Sequence, residues 1–274
     1  MIVHTRGTKG MKVYNIINDE NEEVVGTLLY YEKCHDFIVE LKDNLDEWTA
    51  PLMFSGFVKK KIYTIPREYS FLWVKERVIP SGRQNIVQIL KNHKMDSYDE
   101  MKLLELSGGR CSQDSLYIKK TYEIPDYILK RRCNITECSI CGDNSILCFF
   151  ENGEVKKVDL SELTHIDRVT NVIKNRNLFE SCMVGTGGYF ITFNDSIDIP
   201  ASTIYDAGVT IPLTRDDFII FAKKNLLDTS ECCEMLECSR QNVSYMVSQQ
   251  MLSPVKNDVK GNLYLKGEVL ANRW

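Results

Sequence analysis

LLDTSECCEMLECSRQNVSYMVSQQMLSPVKNDVKGNLYLKGEVL, residues 226–270, is the most informative segment of this 274-residue chain. Asp228 and Glu231 stand three residues apart, which is the spacing of a capping box at a helix N-terminus. After them, Cys232, Met235 and Leu236 fall on one face of a helix. The pattern therefore predicts a short amphipathic helix that breaks at Cys238.

A second amphipathic helix is predicted directly after that break, with Ser239 as its N-cap. Val243, Met246 and Val247 repeat the i, i+3, i+4 spacing of an apolar stripe. Because the turn between the two helices is short, they must cross and pack through their apolar stripes. This arrangement is typical of a helix-turn-helix.

The outward face of the second helix carries side chains of the kinds that bind phosphates and base edges. Arg240, Gln241, Ser244, Tyr245 and Ser248 fall on this face. The Gln241 amide is suited to pair with an adenine edge. The first of these residues lie at the helix N-terminus, where the macrodipole also attracts phosphate.

The next segment, PVKNDVKGNLYL (254–265), predicts a β-hairpin. Asn257-Asp258 and Gly261-Asn262 are its expected turn formers, with lysines at the tip. Such a hairpin is expected to lie along a phosphate backbone as a wing. The sequence therefore predicts a DNA-binding surface made of Ser239, Arg240, Gln241, Asn242, Ser244, Tyr245, Lys256, Asn257, Lys260 and Asn262.

Local charge favours the same orientation. Residues 239–274 contain five Lys or Arg and two Asp or Glu, a balance of +3, whereas residues 215–238 contain three and six, a balance of −3. The acidic first helix is poorly suited to face a polyanion, and the second helix and hairpin are well suited to do so.

These 45 residues resemble the excisionase and MerR-like winged helix-turn-helix group, because helix, turn, helix and wing come in that group's order. The resemblance implies binding to double-stranded DNA. One helix-turn-helix gives a small footprint, so a homodimer is expected for specific binding. The alternative is a small helical hairpin used for protein docking.

The N-terminal segment, from about residue 12 to 120, predicts strands at VYNII, VVGTLLYY, DFIVEL and SLYIKK and helices at QNIVQILKNHK and SYDEMKLLELS. It resembles the N-terminal subdomain of HipA-like toxin kinases. The resemblance rests on Gly26 and Leu28, then Pro80-Ser81-Gly82, and then the helix that ends at Gly108-Gly109.

The sequence lacks the kinase parts that would accompany this subdomain. It has no Gly-rich phosphate loop followed by Lys and Ser or Thr, and no His-x-Asp catalytic loop. The resemblance therefore implies a stand-alone piece that binds or mimics part of a kinase partner. The alternative is an unrelated α+β domain.

The middle segment predicts a β-hairpin in SILCFF-ENGE-VKKVDL, with Asn152-Gly153 as a two-residue turn, and a further strand in YFITF. TYEIPDYILKRR (121–132) is the expected connector before it. ITECSICGDNSILCFFENGEVKKVDLSEL, NLFESCMV and YFITFNDSIDIPASTIYD resemble a small bacterial domain of unknown function that is often encoded beside toxin–antitoxin genes. That family carries no assigned catalytic residues.

The ten cysteines do not form a recognisable metal motif. Cys138 and Cys141 make one C-x-x-C, with Cys133 and Cys148 nearby, but a zinc site needs four converging ligands and no second C-x-x-C follows. Buried thiols that act as small apolar side chains are the favoured interpretation. We expect no metal, no cofactor and no catalytic residues, and hence no enzyme.

Bulk properties set the remaining expectations. The chain has a formal net charge of −4, so nucleic-acid contact requires a local basic patch. It has no apolar run long enough to cross a bilayer and no signal-peptide core, which predicts a cytoplasmic protein with reduced thiols and no membrane contact.

Together these patterns predict an α+β chain of three small domains: a mixed α/β partner-binding domain at 1–125, a small β-rich domain at 126–212 and a winged helix-turn-helix at 213–274. We expect a bacterial, antitoxin-like transcriptional regulator that binds operator DNA through its C-terminal domain. The upstream domains are expected to bind a protein partner, with a HipA-like kinase as the candidate. The alternative is an adaptor or inhibitor subunit that does not bind DNA.

Overall fold

A computed structural model describes residues 10–212, 215–259 and 261–274, with backbone alone for residues 215, 216 and 257–259. These residues form helices and antiparallel sheets, so the α+β class predicted from the sequence is confirmed. The chain divides into two compact units, 1–132 and 133–274. The predicted boundary at 212/213 therefore falls inside the second unit, and the division into three domains stays a prediction.

The first unit contains one antiparallel sheet with the strand order β4-β3-β2-β1-β5. Its elements are β1 (Met11–Asn18), β2 (Glu23–Tyr31), β3 (Asp36–Leu41), α1 (Ser55–Lys59), β4 (Thr64–Ile65), α2 (Arg67–Lys75), α3 (Ile86–Asn92), α4 (Glu100–Ser107), β5 (Leu116–Thr121) and α5 (Asp126–Arg131). Leu28, Val39 and Trp73 are among the residues of its buried core. The strands and helices predicted for this segment are all present.

Local sequence rules explain where α4 begins and ends. The Asp99 carboxylate accepts the backbone N–H of Lys102 at the N-terminus, and Gly108 ends the helix with φ of 62°. Glycine is the usual residue at this position because other side chains strain in the left-handed conformation.

The predicted connector at 121–132 contains helix α5, which belongs to the first unit. The Tyr127 hydroxyl is 2.6 Å from the Thr27 hydroxyl on β2, and the Arg131 guanidinium lies 2.6 Å from the Glu40 carboxylate on β3. These contacts join residues that are 100 and 91 positions apart, so the sequence pattern around Pro125 could not show them.

The second unit contains three antiparallel sheets with strand orders β12-β8-β7-β6, β11-β10-β9 and β13-β15-β14. The elements of the first two sheets are β6 (Ile135–Ile140), β7 (Ser145–Phe150), β8 (Val155–Asp159), α6 (Val169–Lys174), α7 (Arg176–Glu180), β9 (Cys182–Val184), β10 (Phe190–Phe193), β11 (Ile197–Pro200), α8 (Ala201–Ala207) and β12 (Val209–Thr210). The hairpin at Asn152-Gly153 is present, but its loop spans residues 151–154 instead of two residues.

The remaining elements belong to the same compact unit as the two sheets above. They are α9 (Arg215–Asn225), β13 (Leu226–Leu227), α10 (Thr229–Leu236), α11 (Arg240–Ser248), β14 (Lys256–Val259), β15 (Gly261–Leu265) and α12 (Lys266–Ala271). In the sequence, Thr214 stands three residues before Asp217, which is the spacing of a capping box ahead of α9, but Thr214 lies outside the described residues. Leu227, Cys232, Val243, Tyr264 and Val269 belong to a core that these elements share.

Candidate nucleic-acid interface

Helix α10 begins as the sequence predicts. The Asp228 carboxylate accepts the backbone N–H groups of Ser230 and Glu231, and the Glu231 carboxylate accepts the N–H of Asp228 at 2.7 Å. This reciprocal pair is a complete capping box. Cys232 then points into the core with no exposed surface, which fixes the face that α10 buries.

The turn after α10 is tight and well bonded. Glu237 takes the left-handed conformation with φ of 51°, its N–H donates to the Glu234 carbonyl at 3.2 Å, and the Cys238 N–H donates to the Cys233 carbonyl at 3.0 Å. These two bonds define a Schellman motif, a common helix ending that reverses the chain direction. The motif ends α10 at Leu236, two residues before the predicted break, and turns the chain into α11.

Helix α11 is anchored by its apolar stripe. The Ser239 hydroxyl accepts the N–H of Asn242, as expected for an N-cap. Val243 is 1% exposed, and Met246 and Val247 pack partly buried against the same core. The predicted stripe is therefore the face that α11 buries.

The predicted DNA-contacting residues of this helix all lie on its exposed side. The structure exposes Ser239, Arg240, Gln241, Asn242, Ser244 and Tyr245, and the Tyr245 ring keeps 54% of its surface accessible. The Arg240 guanidinium donates to the Ser230 hydroxyl on α10 at 2.9 Å, which holds it at the start of α11. The exposed face combines one cation, two amides, hydroxyl groups and an aromatic ring.

The hairpin after α11 is present, with β15 paired to β14 on one side and to β13 on the other. Its turn differs from the prediction, because Asn257 and Asp258 lie within β14 and Gly261 and Asn262 lie within β15. Residues selected as turn formers by type are thus strand residues.

The structure describes the side chains of only two of the four contact residues predicted in the hairpin. Lys256 is exposed at the beginning of β14, away from the tip, and Asn262 is half-buried and donates through Nδ2 to the Tyr264 hydroxyl at 3.1 Å. The Asn257 side chain and Lys260 lie outside the described residues. Lys256 is therefore the hairpin cation that the structure places at the surface.

Charge separates the two helices. Glu231, Glu234 and Glu237 are exposed on or beside α10, whereas residues 239–257 contain Arg240 and Lys256 and no Asp or Glu. In an acidic protein, this acid-free stretch is the part of the C-terminal elements best suited to approach a polyanion.

The C-terminal elements are fastened to strand β6 by contacts that the sequence did not indicate. The Glu137 carboxylate, 6% exposed, accepts the N–H of Gly267 on α12 at 2.7 Å, and the Asn225 amide donates to the Ser139 hydroxyl at 3.2 Å. A side chain at Gly267 would meet the Thr136 carbonyl oxygen at 1.9 Å, so only glycine permits this approach. Burial raises the pKa of Glu137 to about 7, although the Gly267 N–H and Lys266 oppose the rise.

The thiols around the C-x-x-C do not converge on one centre. The Sγ atoms of Cys138 and Cys182 are 3.9 Å apart, and Cys148 is fully buried. Burial raises the pKa of Cys148 well above its usual value. In the described part of the chain, no three His, Cys, Asp or Glu side chains come together to hold a metal ion.

Comparisons with known proteins add nothing to this geometry: no family model, no curated protein and no solved structure matches the chain. Among the residues that the structure describes, no helix combines the length and the apolar character needed to cross a bilayer.

Proposed function

We propose that the chain is a DNA-binding transcriptional regulator whose C-terminal elements form a winged helix-turn-helix. The observation that carries the proposal is α11, which is held to the core by Val243 and presents an acid-free face of Arg240, Gln241, Ser244 and Tyr245. The order of α9, β13, α10, α11, β14 and β15 and the sheet order β13-β15-β14 support it.

Helix α11 would enter the major groove, where amide side chains distinguish base pairs by their hydrogen-bonding edges. Arg240 and Lys256 would contact phosphates and set the register, as basic side chains do in most DNA complexes. The buried Val243 and the Arg240–Ser230 bond position these groups before DNA arrives. Two copies would bind a two-fold site, since one helix contacts few base pairs.

The first unit is proposed to bind a protein partner such as a HipA-like kinase, which would give the chain an antitoxin-like role. Large apolar side chains on its surface support a docking function, since Trp48 is 86% exposed, Leu52 89% and Tyr122 88%. Where exposed large apolar groups form a contiguous patch, they often mark a site of protein association. The same observation favours the second candidate, an adaptor that does not bind DNA.

The test is binding of the full chain to a duplex from the region upstream of its own gene, measured by fluorescence anisotropy at several salt concentrations. Replacing Arg240 and Lys256 together by alanine is expected to weaken binding and to reduce the salt slope by about 0.9 for each lost phosphate contact. The matched control replaces Lys60 and Lys119, two exposed lysines of the first unit, and should leave both quantities unchanged.

Two results would contradict the DNA-binding proposal. One is an unchanged affinity and salt slope in the Arg240 and Lys256 variant. The other is the absence of binding by the unmodified chain at physiological salt, together with stable complex formation with the product of a neighbouring gene. The second result would establish the adaptor instead.

A further inference from the structure

Two partly exposed cysteines, Cys233 and Cys238, lie on either side of the left-handed residue in the turn between α10 and α11. Their backbones are joined by the 3.0 Å bond from the Cys238 N–H to the Cys233 carbonyl. Both side chains pack, partly buried, against the same core. The Cys233 thiol and the Asn242 side chain are both close enough to Cys238 to act on its pKa. In a Schellman motif these two positions normally carry an apolar pair that packs together. Here that packing pair consists of two thiols.

The surroundings of this pair differ from those of the neighbouring cysteine. Cys232 is fully buried, and burial raises its pKa to about 12, so its thiolate is suppressed. Burial and the adjacent Cys233 also raise the pKa of Cys238, but the bond from Asn242 opposes the rise. Oxidation of a thiol requires both access and thiolate, and partial exposure gives Cys233 and Cys238 the access that Cys232 lacks.

We propose that Cys233 and Cys238 form a reversible disulfide across this turn when the protein meets a peroxide. The peroxide oxidises one thiol to a sulfenic acid: an S–O bond forms, the O–O bond breaks and one water leaves. The second sulfur then attacks the first, the S–O bond breaks and a second water leaves. Two thiols lose two electrons in total, and the peroxide gains them.

The disulfide would act on the surface proposed above to bind DNA, and this part of the inference rests on that proposed function. An S–S bond is about 2.05 Å long, so its formation draws the sulfur atoms of Cys233 and Cys238 together. A shift of the Cys238 sulfur would change its interaction with Asn242, which lies in the first turn of α11. Oxidation should therefore shift the N-terminal turn of α11, where Arg240 and Gln241 lie, and weaken DNA binding.

A second thiol pair is the alternative site at which peroxide could form a disulfide. Cys138 and Cys182 have sulfur atoms 3.9 Å apart, but Cys138 is only 8% exposed. The bond to Cys138 and burial raise the pKa of Cys182 well above its usual value. This pair should react much more slowly than the pair in the turn.

The experiment treats the full chain with hydrogen peroxide, blocks the remaining thiols with N-ethylmaleimide and maps the modified peptides by mass spectrometry. The unmodified protein should lose two reactive thiols, at Cys233 and Cys238, and dithiothreitol should restore them. The Cys232→Ala variant is the matched control and should behave in the same way, whereas Cys233→Ala and Cys238→Ala should not form the bond.

Mapping the unmodified chain decides the proposal even if a variant folds poorly. Retention of both thiols, or a bond that maps to Cys138 and Cys182 instead, would overturn it. In the DNA assay the oxidised protein should bind several-fold more weakly, with recovery on reduction. Equal affinity of the two forms would refute the coupling to α11. A mapped disulfide in a protein that never binds DNA would support the modification site and refute the proposed function.

Discussion

The buried carboxylate of Glu137 should make the stability of the second unit depend on pH near neutrality. Its pKa in the folded protein is raised from 4.5 to about 7, mainly by burial. Below pH 4.5 both folded and unfolded chains hold the proton, so the group has no effect. Between these values only the unfolded chain releases its proton, and stability falls as the pH rises. Above about pH 7 the full loss of about 3 kcal/mol applies.

The Glu137→Gln substitution should remove this loss. The amide oxygen can still accept the Gly267 N–H, but the side chain no longer ionises. We therefore expect the variant to match the unmodified protein near pH 4. Near pH 8 it should be more stable by up to about 3 kcal/mol.

Urea unfolding measures this effect through the fluorescence of Trp274, which packs against the core of the second unit. The other two tryptophans, Trp48 and Trp73, are replaced by phenylalanine so that Trp274 alone reports. The control is Glu162→Gln, which alters an exposed acid of the same unit. If Glu137→Gln gives the same difference in unfolding free energy at both pH values, the carboxylate does not titrate as proposed, and the argument from its burial fails.

Two further predictions concern the turn and the first unit. Glu237→Gly should stabilise the second unit by about 1 kcal/mol, because glycine has no side-chain strain at φ of 51°, and a rise in the urea midpoint would show this. Arg131→Ala should destabilise the first unit by about 3–5 kcal/mol, since it removes the guanidinium that lies 2.6 Å from the Glu40 carboxylate, which is only 2% exposed. Adding Glu40→Gln should recover much of that loss in thermal unfolding, and no recovery would contradict the ion-pair explanation.

The elements that could be predicted from the sequence are those fixed by neighbouring residues. The capping box at Asp228, the N-cap at Ser239 and the stripe at Val243 each depend on residues within a few positions. The two caps are stabilised by hydrogen bonds within one helix turn, and the stripe is stabilised by burial of one helix face. The outward direction of Arg240 and Tyr245 follows from the same periodicity.

The features that could not be predicted depend on contacts between distant residues. Glu137 and Gly267 are 130 positions apart, and a lone Glu in a strand pattern gives no sign that an amide from another element will meet it. Helix α5 is missed for the same reason, because its partners Thr27 and Glu40 lie far away in the chain. The hairpin turn is misplaced because residue type alone was used, and the pairing of β14 with β15 places Asn257 in a strand.

The residues on the exposed face of α11 do not favour a stable helix. An exposed helix is best stabilised by Ala, Leu, Glu, Lys, Gln and Arg, but this one has Asn242, Ser244, Tyr245 and Ser248 on its surface, all weaker helix formers. Only nine residues long, it would be marginal alone, and it depends on Val243 and its N-cap to persist. Under the proposed function, these exposed hydroxyl, amide and aromatic groups would contact DNA, and the absence of Asp and Glu from α11 itself would suit that anionic ligand.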